Sequence, residues 1–124
     1  MKTIGVLIII LIMFIGGCAT TTRGLLRSAN SYEQVYRACN QAASEVDFGV
    51  TSSDIRSGFI AAEMGRYINM SISVVQASSG TEVDVSIVPA PNVHGTGSNT
   101  TIIFNKFTEA LKKRVPDVKV VFVK

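Results

Sequence analysis

Apolar residues along the chain follow three different rhythms. From Ile4 to Ile15 they run without a break except at Gly5. Between Ser31 and Val46 they return at steps of three and four, at Tyr32, Val35, Tyr36, Cys39, Ala42, Ala43 and Val46, which predicts a helix with one apolar face. Glu33, Gln34, Arg37, Gln41 and Glu45 fall mostly on its other side, Ser31 and Gln34 have the spacing of a capping box, and Gly49 is a plausible stop. From Phe48 onward the period becomes two. Phe48, Val50 and Ser52 alternate with Gly49, Thr51 and Ser53, a short strand. Asp54 to Gly58 reads as a turn, and Phe59 to Glu63 as a second strand whose inward face is ambiguous, because Phe59 and Ile60 are both apolar.

The cleanest alternation follows. Ile68, Met70, Ile72 and Val74 stand against Asn69, Ser71, Ser73 and Val75, and Val83, Val85 and Ile87 against Glu82, Asp84 and Ser86. Ala77-Ser78-Ser79-Gly80 between them predicts a hairpin turn. After a loop at Pro89 to Asn99, a second helix runs from about Thr100 to Val115, with Ile103, Phe104, Phe107, Ala110, Leu111 and Val115 on its apolar side. Pro116 ends it, and Val118 to Val123 is a last strand. One apolar and one polar face is the habit of an antiparallel sheet covered on one side. The expected fold is therefore α+β: a two-layer sandwich with four to five strands, two helices on one face and the order α-β-β-β-β-α-β. Residues 31–124 form the single domain, and 19–30, which lack periodicity, read as a flexible tether. Within that tether Leu25 and Leu26 have two possible destinations, the domain or lipid headgroups.

The opening run carries a location. Lys2 is the only charge before Arg23, and a short positive start, a twelve-residue apolar core and a small-residue exit describe a secretory signal peptide over residues 1–17. A membrane-spanning helix needs about 20 apolar residues, so Ile4 to Gly17 would span only with polar flanks drawn in. Ile15-Gly16-Gly17-Cys18 resembles the lipobox of bacterial lipoproteins, an aliphatic residue and two small ones before a lipid-accepting cysteine. The resemblance implies an S-diacylglyceryl thioether on Cys18, cleavage between Gly17 and Cys18, and acylation, commonly by palmitate, of the new amino group. Two or three chains would anchor the protein lastingly, since one chain of myristoyl length binds only marginally and each buried methylene adds about 0.8 kcal/mol. By the sorting habit of Gram-negative lipoproteins, Ala19 in place of aspartate implies release to the outer membrane, facing the periplasm.

Composition adds little beyond exclusions. Without residues 1–17, 107 of the 124 residues remain, enough for one modest core. The net charge of +3 is mild and includes Lys2, and the absence of a basic patch interleaved with aromatics argues against nucleic acid. With Cys18 a thioether, Cys39 has no disulfide partner and sits on the helix stripe, where a cysteine acts as a small buried hydrophobe; a reactive thiol is the other reading.

No catalytic, cofactor or metal-binding constellation is predicted. His94 is a loop histidine without Cys, Asp or Glu between 89 and 108, and metal sites need several ligands. Gly95-x-Gly97 lacks the rest of a phosphate-binding loop, and there is no Gly-x-Ser-x-Gly elbow. Glu82 and Asp84 share one strand face, where carboxylates are ordinarily solvated. Lys112-Lys113-Arg114 complements the dipole at the end of the second helix, or faces headgroups.

A second resemblance concerns the domain. Phe48-Gly49-Val50, Asp54 and Gly58-x-Ile60-x-Ala62, after a helix beginning near Tyr32, are similar to a pattern in the helix-grip domains of the lipoprotein component C of the β-barrel assembly machinery. That resemblance bears on the fold more than on function. The expected function is a periplasmic accessory or structural module of the cell envelope, held to the membrane through lipid on Cys18 and acting on a protein partner. The alternative is a domain binding a small ligand in the groove between helices and sheet, with an enzyme third.

Overall fold

Thr22–Ser28 is a β-strand in the body of the sheet, and not part of a tether. This corrects the expectation for residues 19–30. The strand has no apolar signature for a chemical reason: its inward positions are Thr22, Gly24, Leu26 and Ser28, only one of them a large aliphatic residue, so it has a period of two without an apolar period of two. The computed structural model describes residues 21–65, 68–89 and 100–124. Lys2, the Ile15–Cys18 motif, Ala19, His94, Gly95 and Gly97 lie outside the described residues.

The elements in chain order are β1 (Thr22–Ser28), α1 (Tyr32–Glu45), β2 (Gly49–Asp54), β3 (Phe59–Met64), β4 (Ile68–Ala77), β5 (Gly80–Pro89), α2 (Thr100–Arg114) and β6 (Lys119–Val123). The class is α+β as expected, but among the described residues the sheet has six strands, in the order β2-β3-β4-β5-β1-β6, every neighbouring pair antiparallel. Hairpins account for β2 to β5. The start of the chain then supplies β1 beside β5, with Thr22 opposite Ile87 and Ser28 opposite Thr81, and β6 adds to its far side.

Local sequence explains the ends of α1. Ser31 accepts a hydrogen bond from the Gln34 amide at 3.3 Å and caps the start. The stop is Asp47, not Gly49: its φ is 70°, its amide reaches the Ser44 carbonyl, and the Phe48 amide reaches Ala43. This is the Schellman pattern with aspartate in the left-handed position, completed by burial of Phe48. Gly58 turns β2 into β3 with φ 78°, and a Cβ there would lie on the Val74 carbonyl and 2.7 Å from the Tyr32 hydroxyl.

One apolar cluster lies between the layers. The sheet contributes Leu26, Ile60, Met70, Ile72, Val83, Val85 and Ile87; the helices contribute Val35, Cys39, Ala42, Phe104, Phe107 and Leu111. α1 packs over β2 and β4, and α2 over β5 and β1. Gly24 exists to let this happen. The Phe104 ring occupies the space where its Cβ would stand. A buried hydroxyl pair, Thr22 to Thr100 at 2.7 Å, ties the start of β1 to the start of α2.

Candidate functional site

Among the described residues, the chemistry-bearing side chains singled out in the sequence do not converge. Cys39 is buried and free, and burial pushes its thiol up to about 12, so it is not poised as a nucleophile. Glu82 and Asp84 do share the outer sheet face, but each has an arginine from β1: Arg27 to Glu82 at 2.6 Å and Arg23 to Asp84 at 2.9 Å. These cross-strand pairs fix the register of β1 more than they stabilise, because exposed ion pairs are worth about 0–1 kcal/mol. Lys113 and Arg114 turn to Glu45 at the end of α1, at 3.4 Å and 3.0 Å. The Arg114 hydrogen bond, with Lys113 in support, holds the Glu45 carboxyl below its usual range. Among the described residues no three His, Cys, Asp or Glu side chains gather in one place, and no helix is long and apolar enough to cross a membrane.

The groove between helices and sheet is filled by the protein's own side chains. Phe104, Phe107, Leu111, Val35 and Ile72 are at most 1% exposed. Clefts open at the surface instead: one of about 640 Å³ beside Val46, Met64, Ile102 and Lys106, and one of about 460 Å³ beside Ser28, Asp117, Lys119 and Val121.

Asp117 was not foreseen from sequence. It accepts hydrogen bonds from the Ser28 hydroxyl, the Ala29 amide and the Asn30 side chain, each at 2.7 Å. The Ser28 bond leads in holding its carboxyl below the usual carboxylate range. Asp117 thereby clamps the β1–α1 junction to the turn that launches β6.

β6 is the unusual surface. Among the described residues it is an edge strand whose substantial packing partner is β1, and neither α1 nor α2 packs substantially against it. A bulge sets in where Leu26 opposes Val120 and Leu25 opposes Phe122, leaving Val121 as an extra residue. Beyond it Lys124 and Arg23 exchange backbone hydrogen bonds. As a result Val120, Val121, Phe122 and Val123 are all 40–46% exposed, with Lys119 and Lys124 at the two ends. The Lys124 ammonium stands 5.7 Å from the Phe122 ring centroid. Proteins ordinarily blunt such an edge with proline, a central charge or a covering element. The other edge, β2, follows that habit: it is bulged and carries Thr51, Ser52, Ser53 and Asp54. The sequence marks Val118–Val123 as a strand, and its exposure is visible only in the structure.

No protein-family model matches the chain, and no similar sequence was found among curated proteins.

Proposed function

We propose that this chain is a lipid-anchored accessory module of the bacterial cell envelope, facing the periplasm of a Gram-negative host and acting by holding a protein partner along β6. The observation that carries partner binding is the exposed Val120–Val123 edge, beside which no further strand lies among the described residues. Every second backbone N–H and C=O of an edge strand points outward, and an extended segment can add to it as a further strand. The occupant that fits is an apolar stretch of another envelope protein with acidic flanks, matching Lys119 and Lys124 at the strand's ends. The anchor rests on the lipobox resemblance at Ile15–Cys18, with Cys18 as the acylated residue. A small ligand between helices and sheet has less support, because Phe104, Phe107 and Leu111 occupy that space.

The test has two arms. Cys18→Ser should leave an uncleaved precursor that no longer labels with a palmitate analogue; continued labelling would refute the anchor. A photo-crosslinking residue at Val121 of the lipidated chain, activated in intact envelopes, should give a discrete adduct with another protein. The same probe at exposed Gln76 should not. Val121→Lys should keep the melting temperature, since exposed substitutions stay within about 0.5 kcal/mol, yet prevent strand addition. Adducts at 121 that contain only this chain, or that match those at 76, would overturn the partner reading.

A further inference from the structure

The finding that β1 begins at Thr22 changes what an anchor at Cys18 would do. Four residue steps separate Cys18 from Thr22, a reach of at most about 14 Å when fully extended. β1 itself, at seven residues, is about 23 Å long, and the ten-residue β5 about 33 Å. Thr22 is also no loose end. It is hydrogen-bonded into a strand with neighbours on both sides and joined to Thr100 of α2.

The strand register shows what shares that end of the domain. Thr22 lies opposite Ile87, Ile68 opposite Pro89, and Met64 opposite Ile68. α2 begins there. Its first turn carries Ile102, 51% exposed, over the cleft that Met64 and Val46 line, and Lys106 stands one turn further along the same helix face. At the opposite end are Ser28, Asp54 and the Ser78–Ser79 turn.

We propose that the domain is seated on the bilayer and not suspended from it: the end holding Thr22, Met64 and Pro89 faces the lipid, and Ile102 enters the boundary between headgroups and acyl chains. This rests on the Cys18 anchor proposed above. The occupant is the lipid surface because the link holds Thr22, and with it this end of the domain, within about 14 Å of the lipidated Cys18. An exposed isoleucine followed one turn later by lysine suits that boundary, apolar side chain inward and ammonium at headgroup level. Seating would also hold β6 at a fixed height and leave its edge open along the membrane surface.

The experiment uses the full lipidated chain in vesicles of phosphatidylethanolamine and phosphatidylglycerol. An environment-sensitive dye is attached through Ile102→Cys, Lys106→Cys or Ser79→Cys; buried Cys39 stays unlabelled. All three positions are exposed, so the variants should fold, with circular dichroism melting as the check. Dye at 102 should be quenched severalfold more by brominated acyl chains than dye at 79, with 106 between them. Inserting a long Gly-Ser stretch between residues 20 and 21 should abolish the difference. Equal quenching at 102 and 79, or a difference that survives the insertion, overturns the seating. The intact mass separates the two failures: a diacylglyceryl mass with equal quenching defeats the seating alone, and its absence defeats the anchor as well.

Discussion

Gly24→Ala is the sharpest test of the chain's first strand. A Cβ on Gly24 would fall less than 3.0 Å from Cζ and Cε2 of Phe104 and 3.2 Å from Cε1. Carbon atoms rest at about 3.5–4.0 Å, so the methyl group overlaps one ring edge deeply. The ring has no easy retreat, because Phe104 is 1% exposed and packed with Phe107 and Leu111. Overpacking of this kind costs about 1–3 kcal/mol, while replacing glycine restricts the unfolded chain and returns about 0.4–1 kcal/mol. The expected net loss is about 1–2 kcal/mol, or a fall in melting temperature of very roughly 4–16 °C in a domain of this size. Urea unfolding followed by circular dichroism should show a lower midpoint at unchanged slope. Phe104→Ala alone should cost about 3–5 kcal/mol through the cavity it leaves. In that background Gly24→Ala has no ring to strike, and its cost should vanish or change sign, a coupling of about 1–3 kcal/mol. A flexible tether predicts the opposite for the single variant, no loss or a slight gain. A neutral Gly24→Ala, or costs that simply add, would refute the placement of β1 under α2.

Three further outcomes follow from the same packing. Ile72→Asp should cost about 4 kcal/mol or more by burying an unpaired charge, whereas Ser73→Asp, on the outer face opposite Asp84, should lose only about 0.2–1 kcal/mol from like-charge contact; equal losses of melting temperature would mean that the two faces are misassigned. Asp117→Asn should cost on the order of 1 kcal/mol at neutral pH, the low end for bonds to a charged group because the carboxylate is exposed. Since the folded state depresses the Asp117 pKa, the wild type keeps this stability above the ordinary aspartate value and loses it as pH falls through the lower folded value; the variant's stability should be flatter below about pH 4, and parallel acid limbs of the two urea-midpoint curves would count against the clamp. Cys39 should resist alkylation in the native state and react at a rate set by opening of the core, rising with urea; rapid native labelling would contradict its burial.

Local rules in the sequence determined most of the individual elements. The stripe from Tyr32 to Val46 and the Ser31 cap made α1, the alternation at 68–74 and 83–87 made β4 and β5, and Pro116 stopped α2. In each case the signal is partition between water and core, which repeats at the period of the element and needs no knowledge of the partner. Other features had no such local signature. β1 turns inward a threonine, a glycine, a leucine and a serine, and these make sense only once Thr100, the Phe104 ring and Asp117 arrive to meet Thr22, Gly24 and Ser28 from 78 to 89 residues away. The pairing of Glu82 and Asp84 with Arg27 and Arg23 depended on the same strand. The sequence also marked Val118–Val123 as a strand but not its exposure. Exposure is a property of sheet order: with β1 inserted beside β5, the last strand falls outside the two helices, and residues patterned for a core are left facing solvent.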